Sequence, residues 1–268
     1  MTAALRQIID DLEAEQAALE AVLTSLAAEA WELPTHAPGW TVRDQVSHLA
    51  YFDEAATRAL TDGKAFASEV SSLRDLSDLE SRYLPQGRAM TPGELLQWWR
   101  RASTRLMAAA RRADAESRVP WYGPDMSLPS FLTARLMETW SHGLDVVDVT
   151  GSHRPDTDRL WHVAFLGVRA RAYSYAVNGR QPPSTSVRVE LTSPSGQTWI
   201  LGDANATDVV RGTATDFCRV VTRRRHIADT GLEVLGAAAA EWMAIAQAFA
   251  GPPGPGRRPG EFAHERDR

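Results

Sequence analysis

Apolar side chains recur with a helical period through the first half of the chain. Four segments carry this pattern: residues 3–30, residues 41–60, a segment that begins at Thr91, and residues 127–151. Apolar positions that repeat every three to four residues lie on one face of a helix. The pattern therefore predicts four long helices joined by connections of unequal length, which is typical of a helical bundle.

Residues that favour helix ends mark where two of these helices begin. Thr41 is followed three residues later by Asp44, and Thr91 is followed by Pro92 and Glu94. A threonine with an acidic residue three positions on is the pattern of a capping box, and proline favours the first helical position. We therefore expect helices to start directly after Thr41 and Thr91.

The pattern changes in the second half of the chain. A further helical segment is followed by two short stretches that alternate apolar and polar residues around a Ser-Pro-Ser-Gly turn, which predicts a hairpin of two strands. A mixed segment and a closing helix come next. The predicted ranges are a helix at 155–179, strands at 186–192 and 197–202, mixed structure at 208–225 and a helix at 235–250.

These elements divide the chain into three parts. Residues 1–151 are predicted to form a helical bundle and residues 152–250 a smaller α+β domain. Residues 251–268 are rich in Pro, Gly and charge, and they carry too few apolar side chains to form a core. We expect that tail to be disordered.

Composition and charge exclude some classes of function. The chain has 268 residues, of which 44% are hydrophobic, and its formal net charge is −5, so no general nucleic-acid surface is expected. No apolar stretch approaches the roughly 18 residues of a membrane span, and the N-terminus does not resemble a signal peptide. We therefore expect a cytoplasmic protein, either a monomer or a homodimer, that contacts neither membrane nor nucleic acid.

The fourth predicted helix carries three polar side chains in one column. Glu138, His142 and Asp145 are separated by four and three residues, and at about 100° per residue they fall within a narrow arc. A solvent-exposed face would explain the Glu and His pair, which would then contribute only a few tenths of a kcal/mol. However, Phe131 and Val149 share the same stripe, so a metal site is the alternative.

A histidine on the second predicted helix favours the metal hypothesis. His48 lies at the edge of the apolar face of its helix, beside Phe52. Two helices of a bundle could bring His48, Glu138 and His142 into one interior cleft, where bundles commonly build metal sites. Two imidazoles and one carboxylate suit Zn²⁺ or another divalent first-row metal, and three protein ligands leave a position open for water or substrate.

Two segments resemble the metal-ligand motifs of a known superfamily. Residues 38–53, PGWTVRDQVSHLAYFD, and residues 134–148, ARLMETWSHGLDVVD, are similar to those of the DinB/YfiT-like metalloenzymes. The nearest resemblance is to the family of the mycothiol-dependent maleylpyruvate isomerase, whose N-terminal domain is a metal-binding bundle and whose C-terminal domain is sterol-carrier-like and α+β. The resemblance implies that His48, Glu138 and His142 are the metal ligands.

The resemblance also implies a function. It indicates a metal-dependent enzyme in which the small thiol mycothiol attacks an electrophilic substrate, either in S-transfer or in isomerisation. The composition is compatible with an actinobacterial source of mycothiol, because Lys64 is the only lysine among 29 basic residues. The only cysteine, Cys218, has apolar neighbours and is expected to be buried and inert. No catalytic residue of the protein is assigned.

Further residues are candidates for supporting roles. Asp44 and Asp145 could orient the two imidazoles by hydrogen bonds to the ring nitrogens that do not bind the metal, although Asp44 could equally serve only as a helix cap. Trp121 and Tyr122, on a loop with Pro and Gly, are candidates for a substrate pocket. The resemblance implies an arginine of the second domain near the site, for which Arg223 and Arg224 are candidates, although no single residue aligns.

Two other functions remain open. A hydrolase or lyase of a biosynthetic pathway could use the same fold and ligands without any thiol, with a metal-bound water as the reactant. A metal-binding or lipid-binding module without catalysis is the second alternative, which the carrier-like second domain suggests.

Overall fold

The computed structural model describes residues 2–73 and 77–262, which belong to two compact units, Met1–Arg154 and Pro155–Arg268. The first unit is helical apart from two very short strands, and the second combines helices with a four-stranded sheet. The predicted fold class, a helical bundle followed by an α+β part, is therefore confirmed.

Four helices of 20 to 23 residues form the framework of the first unit. One pair, α1 and α2, packs against the other pair, α5 and α6, as the periodic apolar faces predict. The elements in chain order are α1 (Ala3–Ser25), a 3-10 turn (Ala28–Glu32), α2 (Val42–Thr61), α3 (Gly63–Ser71), α4 (Ser77–Arg88), α5 (Pro92–Arg112), β1 (Arg118–Val119), β2 (Met126–Ser127) and α6 (Leu128–Thr150).

The predicted helix starts are confirmed at α2 and α5. The backbone N–H of Thr41 donates to the Asp44 carboxylate over 2.9 Å, and that of Thr91 donates to Glu94 over 2.8 Å. Pro92 is the first residue of α5. Both capping boxes satisfy backbone N–H groups that would otherwise lack a partner at the start of a helix.

A buried ion pair connects α2 to α6. The Arg135 guanidinium donates to Asp53 Oδ1 over 2.8 Å, and the Trp99 indole N–H donates to the other carboxylate oxygen over 3.2 Å. Asp53 lies late in α2 and Arg135 early in α6, whereas Gln45, early in α2, contacts His142, later in α6. The two helices therefore run antiparallel, and buried polar contacts fix their register.

Helix α4 packs closely on α2 and was not predicted from the sequence. A Cβ added at Gly87 would lie 1.8 Å from the hydroxyl oxygen of Ser47, so only glycine permits this approach. One residue on, Arg88 donates to both carboxylate oxygens of Asp44 over 2.9 and 3.0 Å. These contacts hold α4 so that Tyr83 reaches the face of α2 that carries His48.

The first unit ends after Arg154 instead of after Gly151, where the sequence predicts the boundary. Gly151 does end α6, in the left-handed conformation at φ +66°. The chain then returns to the bundle, because the buried Arg154 guanidinium forms an ion pair with Glu15 over 2.9 Å and donates to the Trp140 carbonyl over 2.7 Å. Those contacts attach residues 152–154 to the helical unit.

The second unit contains a mixed sheet in the strand order β4-β3-β5-β6. The predicted hairpin is confirmed as β3 and β4, and β3 pairs in parallel with β5, a pairing that the sequence does not predict. The elements are α7 (Leu160–Arg169), α8 (Arg171–Val177), β3 (Val187–Thr192), β4 (Thr198–Gly202), β5 (Asp208–Thr213), α9 (Ala214–Val221), a 3-10 turn (Ile227–Asp229), β6 (Glu233–Leu235) and α10 (Ala237–Ile245).

Two expectations for the second unit differ from the structure. The single helix expected at 155–179 begins only at Leu160 and is interrupted at Ala170. The tail expected to be disordered from residue 251 has no helix or strand in residues 251–262, but Phe262 is buried there beneath the Arg225 guanidinium. Asp229 also accepts hydrogen bonds from two backbone N–H groups of this segment. Residues 263–268 lie outside the described residues.

Within residues 2–73 and 77–262, no helix combines the length and the apolar character needed to cross a bilayer.

We expect substitution within the buried ion pair of Asp53 and Arg135 to have a large effect on the stability of the fold. Replacing Arg135 by Met leaves the Asp53 carboxylate buried without its counter-charge, and we expect a loss of about 3–5 kcal/mol in the free energy of unfolding. Urea denaturation followed by circular dichroism measures this loss. The control is Arg111→Ala, which removes an exposed ion pair with Glu13 and should cost less than about 1 kcal/mol. Equal losses in the two variants would contradict a special role for the buried pair.

Candidate metal centre

Helices α2 and α6 bring His48, Glu138 and His142 together in the first unit. Glu138 Oε2 lies 3.1 Å from His142 Nε2 and 3.6 Å from His48 Nε2. The centroids of the two imidazole rings are 4.2 Å apart, and one ligand atom from each residue lies within 4.8 Å of the other two. The antiparallel register of the two helices thus assembles the three side chains that the spacing and the resemblance single out.

Burial and mutual contact set the charges of this cluster. Burial, together with the proximity of His142, lowers the pKa of His48 to about 3, so its imidazole is neutral near pH 7. Burial by itself would raise the pKa of Glu138, but contacts with His142 and His48 hold it well below its ordinary value. The cluster therefore contains an ionised carboxylate beside a neutral imidazole.

The distances between donor atoms fit a first-row divalent ion. Metal–ligand bonds of about 2.0–2.1 Å in tetrahedral geometry place neighbouring donor atoms about 3.3 Å apart. The two separations at Glu138 Oε2, 3.1 and 3.6 Å, lie on either side of that value. The Glu138 side chain is 21% exposed, so the cluster is accessible from one side. Donor type, spacing and access make this cluster a candidate metal site.

The outer ring nitrogens of both histidines have partners that the sequence analysis missed. Tyr83 Oη lies 3.2 Å from His48 Nδ1, and Gln45 Oε1 lies 2.5 Å from His142 Nδ1. Both Tyr83 and Gln45 are buried. Metal-binding histidines commonly have such a partner on the second nitrogen, which holds the ring in a fixed orientation.

Aromatic rings enclose the two imidazoles. Trp40 stacks on His142 with a centroid distance of 6.0 Å and an interplanar angle of 19°, and it also lies 5.5 Å from the ring of His48. Phe52 contacts His48 at 4.4 Å. These rings exclude water from the sides of the cluster and strengthen the electrostatic interactions inside it.

Asp44 and Asp145 are the two aspartates expected to orient the imidazoles. Asp44 bonds the Thr41 backbone and the Arg88 guanidinium, so the helix-cap alternative is the one the structure supports. Asp145 is buried, but both nitrogens of His142 already have partners in Gln45 and Glu138. The expected role in orienting the imidazoles stays a prediction for both aspartates.

Trp121 and Tyr122 continue the aromatic surface away from His48. Tyr122 lies 5.5 Å from Phe52, which contacts the His48 ring. Trp121 stacks on Phe66 with centroids 5.6 Å apart. Both are partly exposed, so their predicted role in a substrate pocket is compatible with their position and stays a prediction.

Arg223 and Arg224 occupy a turn of the second unit. The Arg223 guanidinium donates to the backbone carbonyls of Ile245, Ala246 and Gly254, and burial lowers its pKa. These contacts hold the Arg223 side chain within its own unit, and its assignment as a substrate-binding residue stays a prediction. Arg224 donates to the Thr222 carbonyl over 2.9 Å, and its substrate role stays a prediction.

Sequence reasoning placed Phe52 beside His48 but assigned no role to Trp40, Gln45 or Tyr83. Trp40 lies within the motif that carries the resemblance, and Gln45 and Phe52 lie three residues before and four residues after His48, on neighbouring turns of one helix. The positions of these residues relative to His48 could therefore have indicated that they lie near the site. Tyr83 lies 35 residues from His48 in a segment without a predicted element, so only the tertiary structure places it.

Comparison with known proteins identifies relatives of both units. Residues 12–147 match the family model of the mycothiol maleylpyruvate isomerase N-terminal domain. Two uncharacterized proteins of Mycobacterium tuberculosis, from strains CDC 1551 / Oshkosh and ATCC 25618 / H37Rv, are each 43% identical over 250 residues, covering 93% of this chain and 97% of theirs.

The fold is also similar to solved structures. The mycothiol-dependent maleylpyruvate isomerase and a histidine-to-alanine mutant of it each superpose with a TM-score of 0.59 at 16% identity, covering 84% of this chain and 93% of theirs. At that identity the likeness establishes a shared fold.

Cys218 is buried, and its environment disfavours the thiolate. Burial, followed by the nearby Asp156 carboxylate, raises the pKa of the thiol well above its ordinary value, and the Sγ atom donates to the Leu160 carbonyl over 3.6 Å. Because the thiolate is the reactive form, Cys218 is a poor nucleophile.

We therefore expect the native protein to resist thiol reagents. Native protein mixed with an aromatic disulfide reagent should release almost no chromophore over the time in which urea-unfolded protein reacts with about one equivalent. The unfolded sample is the control for the presence of a reduced cysteine. Rapid reaction of the native protein would mean that the thiol is accessible and would reopen a nucleophilic role for Cys218.

Proposed function

The chain belongs to the mycothiol maleylpyruvate isomerase N-terminal domain family, and from that premise we propose that it is a metal-dependent enzyme with a small-molecule thiol as cosubstrate. The thiol that the family name indicates is mycothiol. The proposed reactions are S-transfer to a small electrophilic substrate and thiol-assisted isomerisation of such a substrate.

The observation that carries the proposal is the convergence of three ligand atoms inside the matched segment. His48, Glu138 and His142 all lie within residues 12–147, and Glu138 Oε2 is 3.1 and 3.6 Å from the two Nε2 atoms. These residues would hold one divalent ion, of which Zn²⁺ suits the donor set best. With only three protein ligands, the site would keep a position for a ligand from solution.

The chain's own residues would bind and shield the reactants. A divalent ion bound here would supply positive charge that lowers the pKa of a thiol or a water molecule beside it. Trp40 and Phe52 would keep bulk water from the sides of the cluster, and Trp121 and Tyr122 would offer an apolar surface to the substrate. Gln45 and Tyr83 would hold the two imidazoles in position.

The nucleophile comes from the cosubstrate in this proposal. The thiol loses its proton to solvent, and its sulfur forms a bond to an electrophilic carbon. In S-transfer a leaving group departs with the displaced electron pair, and the sulfur stays in the product. In isomerisation the sulfur adds to a conjugated double bond, the single bond that results rotates, and elimination regenerates the thiol. Neither course needs a protein nucleophile, which agrees with the burial of Cys218.

A substrate less charged than a dicarboxylate is the one that we favour for this chain. A dicarboxylate such as maleylpyruvate calls for a free cationic side chain, and Arg223 is bonded to three backbone carbonyls of its own unit. Arg135, the buried arginine of α6, is paired with Asp53. A less charged electrophile fits the aromatic surface beside His48 better.

A thiol-independent metalloenzyme is the second candidate function. The observation that favours it is the accessible side of the ligand cluster, where water could serve as the reactant in a hydrolase or lyase. A metal-binding or lipid-binding module without catalysis is the third. The proposals differ in whether a thiol changes the properties of the metal site.

Metal stoichiometry tests the ligand assignment. We expect protein purified without chelator to contain about one equivalent of divalent ion per chain, because His48, Glu138 and His142 offer a three-ligand site. His142→Ala and Glu138→Gln should each weaken binding by more than the about 10- to 100-fold typical of outer-shell partners. The matched control is His153→Ala, which alters an exposed histidine. Full metal content in His142→Ala would refute the assignment.

A thiol titration separates the two enzymatic proposals. We expect mycothiol to change the visible and near-ultraviolet absorption of the Co²⁺-substituted protein, since thiol sulfur is a strong ligand for such ions. The change should saturate at about one thiol per chain and disappear in Glu138→Gln. Product formation with a test electrophile is followed by mass spectrometry for an S-conjugate. An unchanged spectrum together with thiol-independent turnover would favour the second candidate function.

A further inference from the structure

Gln45 connects a candidate ligand to the loop that precedes α2. Its side chain is fully buried, with Oε1 2.5 Å from His142 Nδ1 and Nε2 donating to the Thr35 hydroxyl over 2.8 Å. The Thr35 hydroxyl in turn donates to the Trp40 carbonyl over 3.0 Å. These contacts form one continuous hydrogen-bonded chain from backbone to imidazole.

The direction of each hydrogen bond in this series follows from the group at its end, the Trp40 carbonyl. A backbone carbonyl can only accept, so the single hydroxyl proton of Thr35 is used on Trp40. The Thr35 oxygen can then accept from an amide N–H of Gln45, which directs the amide oxygen toward His142. An amide oxygen only accepts, so His142 carries a proton on Nδ1.

The other nitrogen of His142 is thereby left to face a carboxylate. In neutral His142 with its proton on Nδ1, Nε2 presents a lone pair toward Glu138 Oε2, which is 3.1 Å away. Two acceptors at that distance repel each other unless a positive charge lies between them. A bound cation, or a second proton on His142, would remove the repulsion.

We propose that Gln45, anchored by Thr35, is the positioning residue that sets the tautomer and the orientation of His142 for metal binding. This inference rests on the proposed metal site. Burial of an amide is costly unless both of its ends are bonded, and at Gln45 both ends are. The buried Gln16 of α1, by contrast, has no hydrogen-bond partner at its Nε2 among residues 2–73 and 77–262, so its replacement is a matched control.

Metal affinity, measured by competition with a chromophoric chelator, tests the role of Gln45. Gln45→Leu removes the acceptor for His142 Nδ1–H. It should weaken metal binding about 10- to 100-fold, as expected when a metal ligand loses the hydrogen-bond partner that orients it. Gln45→Glu keeps an acceptor for Nδ1–H and should stay within a few fold of wild type. Thr35→Val should fall between them, and Gln16→Leu should bind like wild type.

Two outcomes of the titration would overturn the inference while leaving the metal site in place. Wild-type affinity in Gln45→Leu would mean that Gln45 does not position His142. An equal loss in Gln45→Glu and Gln45→Leu would mean that the amide donates to His142 or only fills space. Circular dichroism of each variant establishes that it is folded.

Nuclear magnetic resonance of the metal-free protein gives a second readout. Two-bond proton–nitrogen correlation spectra, recorded above the usual titration range of histidine, should show His142 protonated on Nδ1, and Gln45→Leu should lose this preference. Protonation on Nε2 in the wild type would overturn the inference. Because the tautomer is read without metal, a wild-type protein that shows the Nδ1–H form but binds no ion would refute the proposed function alone.

Discussion

The antiparallel contact between α2 and α6 is the constraint on which the rest of the candidate site depends. Asp53 meets Arg135 at one level and Gln45 meets His142 at another, with His48 and Glu138 between them. A slip of one helical turn, about 5.4 Å, would break each of these contacts at once. The buried ion pair therefore does more than join two helices, because it selects the one register in which the three candidate ligands converge.

Burying polar side chains such as these is costly in general unless their hydrogen bonds are made. Burying His48 favours its neutral form, and burying Glu138 would favour protonation if the imidazoles did not oppose it. Apolar residues at the same positions would pack without this conflict. The surrounding contacts limit the cost, because Tyr83 and Gln45 satisfy the outer nitrogens and Trp40 covers both rings. A cation at the centre would neutralise the Glu138 carboxylate. It would also remove the repulsion between this carboxylate and the lone pair on His142 Nε2.

The sequence predicts the parts of this arrangement that local rules control. Helical periodicity and the caps at Thr41 and Thr91 predicted the long helices, and the Glu138 and His142 spacing indicated a column on one of them. The position of Asp44 in the sequence suits either a helix cap or a hydrogen-bond partner of a histidine. In the structure its carboxylate makes the capping contact with Thr41. The role of Tyr83 depends on α4, whose approach at Gly87 is a tertiary contact without a periodic signal. The parallel pairing of β3 with β5 is likewise non-local, since the two strands are separated by β4 in the chain.

The ligand set alone does not choose between a thiol and water as the reactant, because either could occupy an open position beside two imidazoles and a carboxylate. The distinction depends on the surface around that position. A water molecule needs only a gap, whereas a thiol cosubstrate is much larger and needs a surface that binds the rest of the molecule. The partly exposed rings of Trp121 and Tyr122 contact Phe52, which contacts His48, so an aromatic surface continues away from the three candidate ligands. An apolar surface beside the cluster favours the binding of an organic substrate, which a thiol-dependent enzyme and a hydrolase both require, so the thiol itself must be recognised by contacts other than this surface.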